Sequence, residues 1–251
     1  MYLCGHPGTG KTSSLNHVLA QMLSEKQYHF KPLLFNAMTY PDVRSFAIVL
    51  HEKLHEAFFG ELPKRVVNRD MVDDEDMANM IERLLLKISN HHKKKLGTEA
   101  LPHRVIVIDE VDCFSSNEKA FTLLVKQILK SQDKTKTSII GIANSVDLPF
   151  RKKHSAISMR DCQLLFEPYS YDDIESIIEQ KKNALFATCV PTEAACNGEA
   201  GLLEERKHLK AVFFNLIDEK AMRLLCHRIS QKSGDIRVAF DIMKSAMQTL
   251  I

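Results

Sequence analysis

Along the chain, short apolar runs alternate with longer segments whose apolar residues recur every three or four positions. The short runs have the length of strands, and the spaced segments have the period of helices with one buried face. "MYLC" predicts an opening strand, and "KTSSLNHVLAQML" sets Leu15, Val18, Leu19, Met22 and Leu23 on one helical face. "KPLLFNAM" predicts a buried strand, and "DVRSFAIVLHEKLHEAF" and "DMANMIERLLLKI" predict two helices in succession. "RVIVID" and "TSIIGIAN" are β-branched runs separated by the helical "EKAFTLLVKQILKS". Such runs suit adjacent parallel strands covered on both faces.

After a last strand and turn in "QLLFEPYS" the pattern is wholly helical. "SYDD" predicts a capping box opening the helix "DDIESIIEQKKNALF". Residues 187–206 mix Cys, Thr, Pro, Asn and Gly with acids and read as a loop insertion, followed by helices over His208–Ser230 and Gly234–Ile251. The expected division is an α/β domain over residues 1–168 and a smaller helical domain over 169–251.

Composition narrows the class. With 45% apolar and 26% charged residues, the 251-residue chain has the make-up of a soluble globule able to bury a large core. The 34 basic and 32 acidic residues leave a net charge of +2, so contact with nucleic acid has to come from local patches. Six scattered cysteines without a CxxC pair predict thiols in a reducing compartment rather than a disulfide framework or a zinc site. No apolar run reaches the roughly 18 residues of a membrane span. "HHKKK" and "RKKH" read first as solvated runs, with DNA phosphates as the alternative.

Chemistry enters with "GHPGTGKT", which fits G-x-x-x-x-G-K-[ST] between a strand and a helix. Gly5, His6, Pro7, Gly8, Thr9, Gly10, Lys11, Thr12 and Ser13 would form a phosphate cradle, in which His6 is a variable position rather than a ligand. Lys11 would reach the β- and γ-phosphates, and the Thr12 hydroxyl would meet Mg²⁺. "VIVIDEVD" delivers Asp109 and Glu110 to the carboxyl edge of the sheet, Asp109 to hold the metal and Glu110 to orient or deprotonate water. Asp112 reads as a surface residue. Asn144, closing "IIGIAN", could position that water or touch the γ-phosphate, or simply end a strand. Arg237 falls in the first turn of the last helix, with Ser233 as its expected N-cap, where it could fold over phosphates or sit as a solvated charge.

Taken together, "YLCGHPGTGKT", "IDEVD", "GIANSVDLP", "FEPYSYDDI" and "SGDIRVAFDIM" resemble the AAA+ ATPases, specifically the initiator clade of origin recognition complex subunits and the cell-division-cycle helicase loader. The resemblance implies an α/β AAA+ P-loop core with a parallel sheet flanked by helices, followed by a small helical lid. It implies ATP and Mg²⁺ as cofactors, Asn144 as sensor one, Arg237 as sensor two, and slow hydrolysis used as an assembly switch. It further implies a nuclear protein, other origin-recognition or helicase-loading AAA+ subunits, the replicative helicase and double-stranded DNA as partners, no membrane, and "DVRSFAIVLHEKL" as the extra helix that approaches DNA. Arg151 and Arg160 are the candidates for the arginine that acts in trans. The same resemblance marks departures: family members carry an adenine-holding lead before the glycine loop and a winged helix after the lid. Four residues precede the loop here, so weak base recognition is expected of this stretch. A nucleotide-locked scaffold subunit is the alternative from the binding class. A clamp-loader-type ATPase is the alternative outside replication, against which the lack of a serine-arginine-cysteine signature counts.

Overall fold

A computed structural model describes residues 1–25, 30–63, 73–96, 102–144, 162–189 and 218–249. Arg151, Arg160, "RKKH" and residues 190–206 of the expected loop lie outside the described residues. Strands β1 (Tyr2–Gly5), β2 (Phe30–Asn36), β3 (His103–Asp109), β4 (Thr137–Ala143) and β5 (Gln163–Phe166) form one sheet in the order β2-β3-β4-β1-β5, with every pairing parallel. Helices α1 (Lys11–Ser24), α2 (Val43–Phe59), α3 (Asp74–Leu96), α4 (Glu118–Lys130) and the short α5 (Gln132–Thr135) connect them. The helical part holds α6 (Tyr171–Cys189), α7 (Glu219–Lys232) and α8 (Ile236–Thr249). Two compact units result: Met1–Gly5 with Gly10–Phe166, and His6–Thr9 with Glu167–Ile251.

Side chains of the central strands divide between the two sheet faces because successive residues point opposite ways. Ile106, Ile108 and Ile139 join one apolar cluster with α2, α3 and α4, through Phe46, Leu50, Ile81, Leu85, Ile88, Leu124 and Ile128. Leu3, Val107 and Ile142 face the other way and meet Leu15 and Leu19 of α1. Both faces are covered, and this is why β3 and β4 read as unbroken apolar runs.

Three expectations change. The buried stripe of α1 is narrower than the spacing predicted, with Leu15 and Leu19 buried while Val18 and Leu23 are 48% and 53% exposed. At about 100° per residue Val18 lies about 60° to one side of Leu15 and Leu23 about 40° beyond Leu19, and only a limited arc of a single helix meets the sheet. β2 is an edge strand of the described sheet rather than a buried one, so Phe35 is covered and Leu34 is 52% exposed. Finally, Ala187–Cys189, expected in the loop, continue α6.

Helix ends follow local chemistry. The Ser170 hydroxyl and backbone amide both donate to Asp173 Oδ2, at 2.6 and 3.0 Å, and the Asp173 amide returns to Ser170 Oγ at 3.3 Å, which is the expected capping box. α3 runs on through "HHKKK", with Asp74, Glu75 and Asp76 in its first turn and Lys93, Lys94 and Lys95 in its last. Both groups complement the helix dipole, so this basic run has a structural role in addition to any partner. The helix expected from His208 is described from Glu219, with the Asp218 carboxylate accepting from the Lys220 and Ala221 amides.

Leu85 is fully buried between α2, α4 and the sheet. Leu85→Ala is expected to cost about 2–5 kcal/mol and Leu34→Ala less than about 1 kcal/mol. Urea denaturation of both variants checks the contrast, which comparable losses would contradict.

Candidate nucleotide site

The carboxyl ends of β1, β3 and β4 lie side by side, with β4 paired to both others, so their following residues meet at one edge of the sheet. Open parallel sheets bind ligands at this edge. The loop leaving β1 turns through Gly8 and Gly10 at φ +76° and +79°, backbone that side chains with a Cβ rarely adopt. Thr9 is buried and donates from Oγ1 to the His6 carbonyl at 2.8 Å, whereas His6 and Pro7 are exposed. α1 starts directly after Gly10 without a side-chain cap and without an acid in its first turn. A helix start with neither feature is the kind that suits an anion. Ser13 is exposed in this turn.

Lys11 is 6% exposed, a buried ammonium that must be solvated by protein groups. Its Nζ donates to the Gly5 carbonyl at 2.9 Å and to Asn144 Oδ1 at 3.1 Å. Asn144 Nδ2 donates in turn to Glu110 Oε2 at 2.6 Å. These contacts settle the amide's orientation, since the reversed amide would turn an NH2 toward the ammonium and an oxygen toward the carboxylate. Thr12 Oγ1 donates to Asp109 Oδ2 at 2.8 Å, and Asp109 Oδ1 accepts the Glu110 amide at 2.9 Å. The structure thus brings Lys11, Thr12, Asp109, Glu110 and Asn144 together from three strand ends.

Glu110 has φ 55° and ψ 43°, a left-handed conformation without glycine. Holding it there costs about 1–2 kcal/mol, and such strain is concentrated at functional positions. The bend turns the chain from β3 into a 3₁₀ segment, Val111–Asn117. Desolvation pushes the Glu110 carboxyl upward from its ordinary value, assisted by Asp112 and Asp109 and opposed by Lys11 and Asn144.

Asp112 was expected to be a surface residue, and the structure corrects this. It is half-buried, its Oδ2 accepts the Asn144 backbone amide at 3.2 Å, and its Oδ1 is buried without a hydrogen-bond partner. The acid at the second position beyond Glu110 was the available signal, but only the 3₁₀ turn carries it back beneath Asn144. Ser233 is likewise not the cap of the last helix. The residue before α8 is Asp235, whose Oδ1 accepts the Arg237 amide at 2.9 Å, while Ser233 Oγ accepts the Asp235 amide at 3.3 Å. Arg237 stands in the first turn as expected, within the helical unit.

A glycine loop running into an uncapped helix start, with a hydroxyl and two acids beside it, is the arrangement that α/β P-loop proteins share. The family model described as AAA domain matches residues 1–148, and the chain belongs to that family. Among the proteins it is similar to are a cell division control protein 6 homologue and an origin recognition complex subunit 1. The cell division control protein 6 homologue of Oryza sativa subsp. japonica is 24% identical over 255 residues, across 99% of this chain and 40% of its own length. Origin recognition complex subunit 1 of Plasmodium falciparum (isolate 3D7) is 24% identical over 252 residues, across 99% of this chain and 17% of its own. The fold is shared with the Aeropyrum pernix ORC1 protein, solved in complex with DNA, at a TM-score of 0.56 and 18% identity, over 99% of this chain and 53% of that one. The chain thus spans less than half of either curated relative's length. It is an AAA-domain module with an α/β P-loop core.

The raised Glu110 value has a consequence for stability. The fold disfavours the ionised carboxylate, so the wild type loses stability as pH rises from the ordinary carboxylate range through the elevated folded value. Glu110→Gln keeps an oxygen for Asn144 and does not titrate. Its melting temperature, measured in chelator, should match the wild type near pH 4 and exceed it at pH 7.5; an advantage largest at acid pH would contradict this assignment.

Proposed function

We propose that this chain is the ATP-binding, slowly hydrolysing module of a DNA replication initiator. The observation that carries this reading is the linked set Lys11–Asn144–Glu110 beside Thr12–Asp109, at the mouth of a glycine loop. Lys11 would neutralise the β- and γ-phosphates, moving its ammonium from the Gly5 carbonyl toward phosphate oxygen. Thr12 and Asp109 would hold Mg²⁺, and their hard oxygen donors fit that ion. Among the described residues no group of three or more His, Cys, Asp or Glu gathers to hold a metal, so most of its ligands would be phosphate and water. When bound, the ion neutralises charge on the phosphates. Glu110 would orient the attacking water and take its proton, a task eased by the upward shift of its carboxyl. Asn144, already bonded to Lys11 and Glu110, would sense the γ-phosphate from between them.

Arg237 of the helical lid would report the phosphate state, and an arginine from a neighbouring subunit would complete the site, coupling turnover to assembly. On this reading the partners are other origin-recognition or helicase-loading AAA+ subunits, the replicative helicase and duplex DNA, and the location is the nucleus. The ORC1 relative supports the origin-recognition partners, and the Aeropyrum pernix ORC1 structure with DNA supports the duplex as a partner. Glu110 favours turnover over a nucleotide-locked scaffold, because a scaffold has no use for a strained carboxylate linked through Asn144 to Lys11.

Two variants test the reading. Lys11→Ala should abolish ATP binding, measured by equilibrium titration of the chain with its native flanking sequence. Glu110→Gln should retain binding and lower the hydrolysis rate by about 10²- to 10⁴-fold. Unchanged ATP binding in Lys11→Ala would sink the proposal, whereas equal turnover in Glu110→Gln would leave only the scaffold.

A further inference from the structure

We infer that Asp112 is a positioning residue for Asn144, fixing the backbone from which the Asn144 amide bridges Lys11 and Glu110; the inference rests on the hydrolytic roles proposed for Glu110 and Asn144. Asn144 stands just past the end of β4, beyond both of that strand's registers. The pairing of β4 with β3 ends at Gly141 beside Ile108, and its pairing with β1 ends at Ala143 beside Cys4. Among the described residues, the backbone amide of Asn144 donates instead to Asp112 Oδ2, at 3.2 Å. A side chain thus takes over where the ladder of the sheet stops. The Asn144 side chain meanwhile accepts from Lys11 Nζ at 3.1 Å and donates to Glu110 Oε2 at 2.6 Å. Glu110 and Asp112 therefore grip one residue from a single turn, the first at its side chain and the second at its backbone.

The turn is itself held. The Glu110 carbonyl accepts the Cys113 amide at 3.0 Å, which starts the 3₁₀ segment. Val111 and Phe114 are both buried and anchor that segment in the apolar cluster of α2, α3 and α4. Phe114 packs on Phe46 and Phe121, with ring centroids 5.4 and 5.2 Å away. Val111 lies against β4 at Gly141, where a Cβ would stand 3.3 Å from Val111 Cγ2, closer than most side chains approach. The glycine lets the turn sit on β4, and this brings Asp112 within reach of the Asn144 amide. Stability alone does not account for the acid. Asp112 Oδ1 is buried without a hydrogen-bond partner, and a carboxylate oxygen left so costs folding energy. Such a cost calls for a further task. Holding Asn144 is one, because displacing a group at a reacting centre by about 1 Å can lose about a hundredfold in rate.

Asp112→Ala and Asp112→Asn remove the same charge, but only Asn keeps an oxygen for the Asn144 amide, so their difference isolates the contact. The test is single-turnover hydrolysis of Mg-ATP and equilibrium binding of mant-ATP, with the chain in its native flanking sequence. Asp112→Ala should bind mant-ATP within about twofold of the wild type and lose about tenfold in hydrolysis rate, and Asp112→Asn should recover most of that loss. Asp112→Ser, whose hydroxyl ends one bond short of the carboxylate oxygens, should match Asp112→Ala and replaces it should alanine weaken the fold. Asn144→Ala should be slow as well, and adding Asp112→Ala to it should cost nothing further. Hydrogen exchange at the Asn144 amide, followed by NMR, should quicken in Asp112→Ala and stay near the wild type in Asp112→Asn. Equal losses in the Ala and Asn variants, an additive loss in the double variant, or unchanged exchange at Asn144 overturns the inference alone. If the wild type does not hydrolyse ATP, or Asn144→Ala hydrolyses it at the wild-type rate, the proposed hydrolytic role falls and this inference falls with it.

Discussion

A buried ammonium organises this site. Lys11 lies almost out of reach of water, and a cation so placed needs polar partners at close range. Two of those it has, the Gly5 carbonyl and Asn144, come from the ends of β1 and β4, and Asn144 passes the link on to Glu110 at the end of β3. One side chain thus ties three strand ends together. The register of the sheet, the turn of the glycine loop and the exit of the chain after Asp109 must all agree before Lys11 is satisfied.

Parallel pairing makes the agreement possible. In the order β2-β3-β4-β1-β5, the strand carrying the glycine loop is central, and the strand ending in Asp109 lies one place beyond its neighbour β4. Every strand points the same way, so each ends at the same edge. The layers above and below supply what holds the strands there: α2, α3 and α4 close one face, and α1 closes the other with Leu15 and Leu19. Function at the edge therefore rests on apolar packing that includes no functional residue. The left-handed Glu110 is the local exception, where backbone strain is accepted to redirect a carboxylate.

Much of this was legible in the letters. "GHPGTGKT" and "VIVIDE" are short, contiguous and chemically unusual, so they announce a phosphate loop and its acids without reference to the rest of the chain. The β-branched runs of β3 and β4 are apolar on both faces, which marks them in the sequence as covered strands. Other features lacked such a signal. β2 looks as apolar as its neighbours, yet its position at the edge leaves Leu34 half in water. Asp112 resembles any acid after a strand until the 3₁₀ turn brings it to the Asn144 amide. Asp235 and Ser233 are both good cap residues, and only the backbone at Gly234 decides between them.

By itself, then, the sequence determined which elements form and which chemical groups they carry, because periodicity, turn chemistry and the glycine loop act over a few neighbouring residues. Only the tertiary structure decided strand order, which apolar faces stay wet, and which polar groups meet. Lys11 and Asn144 are 133 residues apart along the chain. Their contact exists because parallel strands align their carboxyl ends, a relation that no local stretch encodes.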